Sequence, residues 1–353
     1  MSKNVECSQT TVWNVFSTFM LVPRRSLVLA SDLLGPLVDV PAMAEAAGFH
    51  RVWNTEFQGR DAIVRATANG LATSTLRVGT GIAYAFTRAP RALASAALDA
   101  QELTNGRFTL GLGAGTRGLR RGYGIDDFDP PATRLAEVCE QLRATWDETS
   151  WKRPVAPPSL AAGGVNETMI AVAAKHVDRL LLHPMCLIQE HLDQRILPAI
   201  TRGQSRRVSG YAKLSAWCIT SVDVDSHLAK TRARSQLAFY LSTPGYRGAL
   251  VSTPWESLAE SIRSEFAKGK RNWDALAHDI PDELLDQVSI HGDVSAASLA
   301  ADRMSQRLAH LGVDEMVLQC IDTGPSAAGV LEGLRMIIDN LRPSSHFNEG
   351  RCP

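Results

Sequence analysis

Glu56 follows the short run Arg51–Asn54, where a strand would deliver a partly desolvated carboxylate able to donate a proton or accept a hydrogen bond from a cofactor ring. A structural ion pair with Arg60 or Arg88 is an equally good reading. Downstream, Gly79-Thr80-Gly81-Ile82-Ala83-Tyr84 puts two glycines into a strand, which fits a bulge against a ligand as well as a plain corner. Thr80, Gly81 and Ile82 are the candidate contacts there, and Tyr84 supplies a phenol and an aromatic face. The cluster Gly111-Leu-Gly113-Ala-Gly115-Thr-Arg-Gly118 contains GxGxxG directly after a strand. Gly122, Gly124, Pro130 and Pro131 then forbid the helix that a nicotinamide-binding fingerprint needs. Gly113 is better read as letting backbone run close beneath a flat ring.

Ala161-Ala162-Gly163-Gly164 leads through Val165 to the helix cap Asn166. Two residues without Cβ before a helix start expose backbone N–H groups that suit a phosphate, or they make a tight turn with no ligand. His183, just before Pro184, has the same pair of readings. The chain has no GxSxG, no P-loop, no HExxH and no clustered His/Cys set. Serine-hydrolase, nucleotidase and zinc chemistry are unsupported, and no metal site is expected.

These residues need a scaffold, and the alternation of short β-branched runs with stretches of helical period supplies one. Strands are expected at Ser26–Ala30, Arg51–Asn54, Arg77–Gly81, Arg107–Leu112, Ser159–Ala162, Arg179–His183, Lys213–Ser221 and Glu315–Ile321. An open doubly wound sheet explains the first four units equally well, but the full set matches a (β/α)8 TIM barrel. An insertion at about 222–294 follows the seventh strand, and its position at the strand ends makes it a substrate-facing element. The barrel domain spans 25–342, with residues 1–24 as an N-terminal extension of no derivable role and 343–353 as a tail.

With Lys+Arg and Asp+Glu at 37 each, no global field favours nucleic acid or an anionic membrane. The apolar run Val12–Val22 is too short and too polar to span a bilayer, and Arg24 and Arg25 follow it instead of preceding it. Six cysteines without CxxC spacing suit a reducing cytoplasm.

The segments Met43–Trp53, Ala72–Ile82, Leu103–Gly115 and Leu160–Gly164, with Ile280–Leu285 and Leu311–Leu318 near the end, resemble the bacterial luciferase-like superfamily and its coenzyme F420-dependent oxidoreductases. The resemblance covers about Ser26 to Leu341. It implies a non-prolyl cis peptide at Gly81-Ile82 supporting the cofactor ring, and phosphate contacts from Ala161, Ala162, Gly163, Gly164 and Val165. It also implies hydride transfer between F420 and a small organic substrate, and a homodimer. An FMN-dependent monooxygenase of the same fold is the nearest alternative, and a non-catalytic ligand-binding barrel is a further one. The Asp-His pair and the Glu of the family's sugar-phosphate dehydrogenases are replaced here by Glu56-Phe57 and Thr116, so that substrate class is not expected. The connection between Trp146 and Ser159 is also shorter than in many relatives.

Overall fold

The computed structural model describes residues 22–31, 38–125, 130–321 and 327–343. The N-terminal extension and the tail expected from sequence fall almost wholly outside these residues. Its strands are β1 (Arg24–Leu29), β2 (Arg51–Asn54), β3 (Arg77–Thr80), β4 (Ala83–Tyr84), β5 (Phe108–Gly113), β6 (Ser159–Gly164), β7 (Arg179–Leu182), β8 (Lys213–Val222), β9 (Ser289–Gly292) and β10 (Glu315–Cys320). β10 pairs in parallel with β1 on one edge and with β8 on the other, so β1, β2, β3, β5, β6, β7, β8 and β10 close into a (β/α)8 barrel. Each of the eight runs read as strands from the sequence is one of these.

Local sequence explains most of the crossovers. The Asp61 carboxylate accepts from the N–H groups of Ile63 and Val64 at 2.9 Å each, opening the helix Ala62–Leu71. Pro90 starts the helix Pro90–Leu103, where its missing N–H costs nothing. Two of the elements that escape the sequence reading have a plain physical explanation. β9 pairs with β8 at Ile219–Val222, on the edge that β7 leaves free beyond Ala216. The second is a correction: a short helix, Arg117–Gly122, stands where the glycines and prolines were taken to forbid one. Thr116 caps it through Leu119 N–H, Gly124 (φ +72°) turns the chain just beyond it, and Pro130 and Pro131 lie past its end. Among the described residues no helix is long and apolar enough to cross a membrane.

Because side chains alternate across a strand, each barrel strand sends every second residue inward. At the amino ends the inward set is Ser26, Arg51, Arg179, Ser215 and Glu315. Two residues on it becomes Val28, Trp53, Leu181, Trp217 and Val317, which with Ala161 form one buried cluster. The Trp53 and Trp217 rings lie 5.3 Å apart. This apolar layer plugs the barrel, so any cavity must open above it, at the carboxyl ends. A Cβ on Gly79 or Gly81 would come within 2.8 Å of the Trp53 or Trp217 ring, so the paired glycines of β3 make room for the plug.

Below the plug, the Glu315 carboxylate accepts from Ser26 Oγ at 2.6 Å, Trp53 Nε1 at 2.9 Å and Ser215 Oγ at 2.9 Å. It also faces Arg179 at 3.1 Å and Arg51 at 3.7 Å. Burial pushes this carboxyl up, but Arg51 and Arg179 outweigh burial and hold it at about 2, against an ordinary 4.5. A carboxyl depressed in this way contributes stability above its unfolded pKa and loses that contribution as pH falls from about 4.5 toward 2. Replacing it by Glu315→Gln leaves two buried guanidinium groups without a counter-charge, which is expected to cost about 3–5 kcal/mol at neutral pH. Urea unfolding as a function of pH tests this: the variant should be much less stable at pH 7 and lose less on acidification. Wild-type stability in the variant at pH 7 would contradict the assignment.

Candidate active site

The site is built on an unusual join between β3 and β5. The Gly81-Ile82 peptide is cis, and β4 resumes pairing with β5 at Leu112 and Gly113. Thr80 Oγ donates to the Gly111 carbonyl at 2.7 Å and accepts from Gly111 N–H at 2.8 Å, fastening the bulge to β5. A Cβ on Gly111 would overlap the Thr80 carbonyl oxygen, and one on Gly113 would overlap Ile82 Cδ1. The glycines of β5 are therefore the seat of the bulge, and the close backbone approach read from the sequence is to β3 and β4.

Glu56 and Tyr84 brace the bulge from behind. Glu56 N–H donates to the Ile82 carbonyl at 3.1 Å, and Tyr84 OH donates to the Glu56 carbonyl at 2.9 Å. The Glu56 carboxylate pairs with Arg88 at 2.9 Å, and Arg88 reaches on to Asp61 at 2.6 Å. Of the two partners considered from sequence, Arg88 is the one the fold supplies, while Arg60 donates to the Ala30 carbonyl. Burial raises the Glu56 pKa against the pull of Arg88, and its second oxygen is buried without a hydrogen bond. Neither Glu56 nor Tyr84 lines the cavity beside them.

That cavity, of about 410 Å³, opens at the carboxyl ends of β5, β6 and β7. Its floor is Ile82, Leu181 and Trp217; its sides are the glycines Gly81, Gly113, Gly163 and Gly164 with Val165 and Asn166. Arg117 and Arg120, from the helix missed in the sequence, and Tyr246, from the insertion, also line it, and among the described residues no carboxylate does. Ala161 and Ala162 are wholly buried strand residues beneath it, as is Thr80, whose hydroxyl already has both partners on Gly111.

His183 lies two residues beyond inward-facing Leu181 and lines the cavity. Burial lowers its pKa to about 3, so the ring is neutral at physiological pH. Nδ1 accepts from Met185 N–H at 3.2 Å, which puts the proton on Nε2. Of the two sequence readings of His183, the turn is the one seen, and the residue also lines the cavity. Its ring sits 4.4 Å from Tyr240 and 4.7 Å from Tyr246.

At the end of β6 the backbone itself is the polar surface. Val165 and Asn166 lie between the strand and the helix Glu167–His176, and among the described residues neither N–H donates to an acceptor. The Asn166 side chain does not cap that helix; its amide instead donates to the Gly245 carbonyl at 3.3 Å. Open N–H groups, a positive helix end and two arginines across an apolar floor suit a flat, anionic ligand. These residues fit a phosphate-bearing ring cofactor.

A parallel barrel with such a cavity at its carboxyl face defines a class of cofactor-binding (β/α)8 proteins. The chain belongs to the luciferase-like monooxygenase family, whose sequence model matches residues 15–315. An uncharacterized Mycobacterium tuberculosis protein is 28% identical over 292 residues, 74% of this chain and 84% of that one. The 5,10-methylenetetrahydromethanopterin reductase of Archaeoglobus fulgidus is 27% identical over 275 residues, 71% of this chain and 80% of that one. The structure of the coenzyme F420-dependent tetrahydromethanopterin reductase of Methanopyrus kandleri superposes with a TM-score of 0.70 at 18% identity, covering 91% of this chain and 98% of that one. Membership makes the chain an oxidoreductase of the luciferase-like family.

The glycine packing gives a direct check. Gly113→Ala forces Ile82 and the bulge to move and should cost about 1–3 kcal/mol. Gly163→Ala meets its nearest neighbour, Ile82 Cγ2, at an ordinary 3.4 Å and should be close to neutral. Thermal unfolding of the two variants should give that order, and the reverse order would mean that the bulge is not seated on β5 as described.

Proposed function

We propose that this protein transfers a hydride between coenzyme F420 and a small organic substrate. The observation that carries the reading is the pair of N–H groups at Val165 and Asn166 that have no acceptor among the described residues, at the head of a helix in a cavity also lined by Arg117 and Arg120. When bound, the cofactor supplies the ring carbon that gives or takes the hydride. The chain does the rest. Gly163 and Gly164 keep the approach to the phosphate seat clear, and the helix end and the arginines balance negative charge. Ile82, Leu181 and Trp217 exclude water beneath the ring. His183 Nε2–H and the Tyr246 hydroxyl are the donors placed to orient a polar substrate group. Glu56 and Tyr84, the acid–base candidates of the sequence, act as positioning residues through the bulge. The insertion after β8 brings Gly245 and Tyr246 to the cavity and serves as its substrate-facing wall.

A relative that carries the name of a coenzyme F420-dependent oxidoreductase favours F420 over FMN, whereas a phosphate seat accepts either. Parallel titrations with F420 and FMN, followed by fluorescence quenching or heat, separate the two. F420 should bind at least about tenfold more tightly, a difference of about 1.4 kcal/mol. Preference for FMN would move the protein to the monooxygenases, and binding of neither would overturn the oxidoreductase mechanism in favour of a non-catalytic barrel.

A further inference from the structure

His191 does not itself line the cavity, yet it is tied to the cavity's most polar edge. It is 2% exposed, in the helical stretch that runs from Gln189 through a π-turn, Leu192–Ile196, to Gln204. Its Nε2 lies 2.9 Å from the Val165 carbonyl oxygen. A carbonyl only accepts, so Nε2 carries the proton; burial lowers the ring's pKa and keeps it neutral. Nδ1 is then a bare acceptor, and it is buried without a partner. An unmet acceptor in the interior is a cost that packing alone does not explain. Close by, Cys186 Sγ donates to the Gly164 carbonyl at 3.4 Å.

Both contacts act on peptide planes. In a trans peptide the carbonyl of one residue and the N–H of the next point in opposite directions. Holding the Gly164 carbonyl toward Cys186 turns the Val165 N–H away from it, and holding the Val165 carbonyl toward His191 turns the Asn166 N–H away from that ring. Neither of these two N–H groups has an acceptor among the described residues, and both residues line the cavity. We infer that His191 is a positioning residue for anion recognition: its hydrogen bond to the Val165 carbonyl fixes the Val165–Asn166 peptide with its N–H aimed at the cofactor phosphate. Cys186 makes the weaker, parallel contribution to the peptide before it. The inference rests on the proposed cofactor reading and assigns to that reading a residue outside the cavity.

The test compares F420 with the same deazaflavin chromophore lacking the phosphodiester, each titrated against wild type, His191→Phe and His191→Gln, with circular dichroism to check folding. Phenylalanine keeps a ring but loses the donor, and glutamine restores an N–H at similar reach. Misaligning a hydrogen bond to a charged acceptor should weaken F420 binding by about tenfold or more in His191→Phe. The phosphate-free compound should bind that variant as it binds wild type, and His191→Gln should recover most of the lost affinity. Equal weakening for both ligands, or none for either, overturns the role of His191. A wild type that binds the two ligands equally well overturns the phosphate seat itself, a separate result. Should His191→Phe not fold, Cys186→Ala frees the Gly164 carbonyl and should give a smaller loss confined to F420; no selective loss there overturns the mechanism.

Discussion

The Glu315 carboxylate binds together the amino ends of five barrel strands: β10, which carries it, β1 through Ser26, β2 through Arg51 and Trp53, β7 through Arg179, and β8 through Ser215. A charge this deep is tolerable only with its partners in place, so the strands cannot slip in register without stranding it. The register fixed at the bottom sets what lies two residues higher, the plug of Trp53 and Trp217. The plug in turn requires glycine at 79 and 81, and from Gly81 the chain enters the cis bulge. The geometry of the mouth is thus a consequence of how the base is filled.

The mouth is made more of backbone than of side chains. Glycines on β5 and β6 bring main chain against the bulge and the cavity, and the polar surface at the end of β6 is two N–H groups. Such a site is preorganised because its donors belong to rigid elements held from behind, by Thr80 on β5 and by His191 and Cys186 on the peptides after β6. It also explains why a search for an acid–base pair finds only Glu56 and Tyr84, whose polar atoms face Arg88 and the backbone.

Much of this could be read from the residues. Arg51–Asn54 has the same limits in sequence and structure, because a strong local pattern bounded by turn residues agrees with the tertiary fold. β9 was not legible: Ser289-Ile-His-Gly carries one strong strand former, and it is a strand because β8 outruns β7 and offers a free edge. The helix Arg117–Gly122 was hidden by its glycines, and with it went Arg117 and Arg120. Pairwise facts at long range were also hidden. The sequence offers Arg60 or Arg88 as the partner of Glu56 without choosing between them, and nothing near Val165 announces His191, 26 residues on. The glycine pairs were visible at once, but whether each faces a ligand, an indole ring or another strand is decided by the three-dimensional packing.

Hydrogen–deuterium exchange with and without F420 tests the central claim most directly, since that claim concerns particular backbone N–H groups. The account predicts that the cofactor slows exchange chiefly in peptides covering residues 80–84 and 163–169, with the base of the barrel unchanged. Protection confined to other surfaces, or binding that leaves the 163–169 amides exchanging as before, would contradict it.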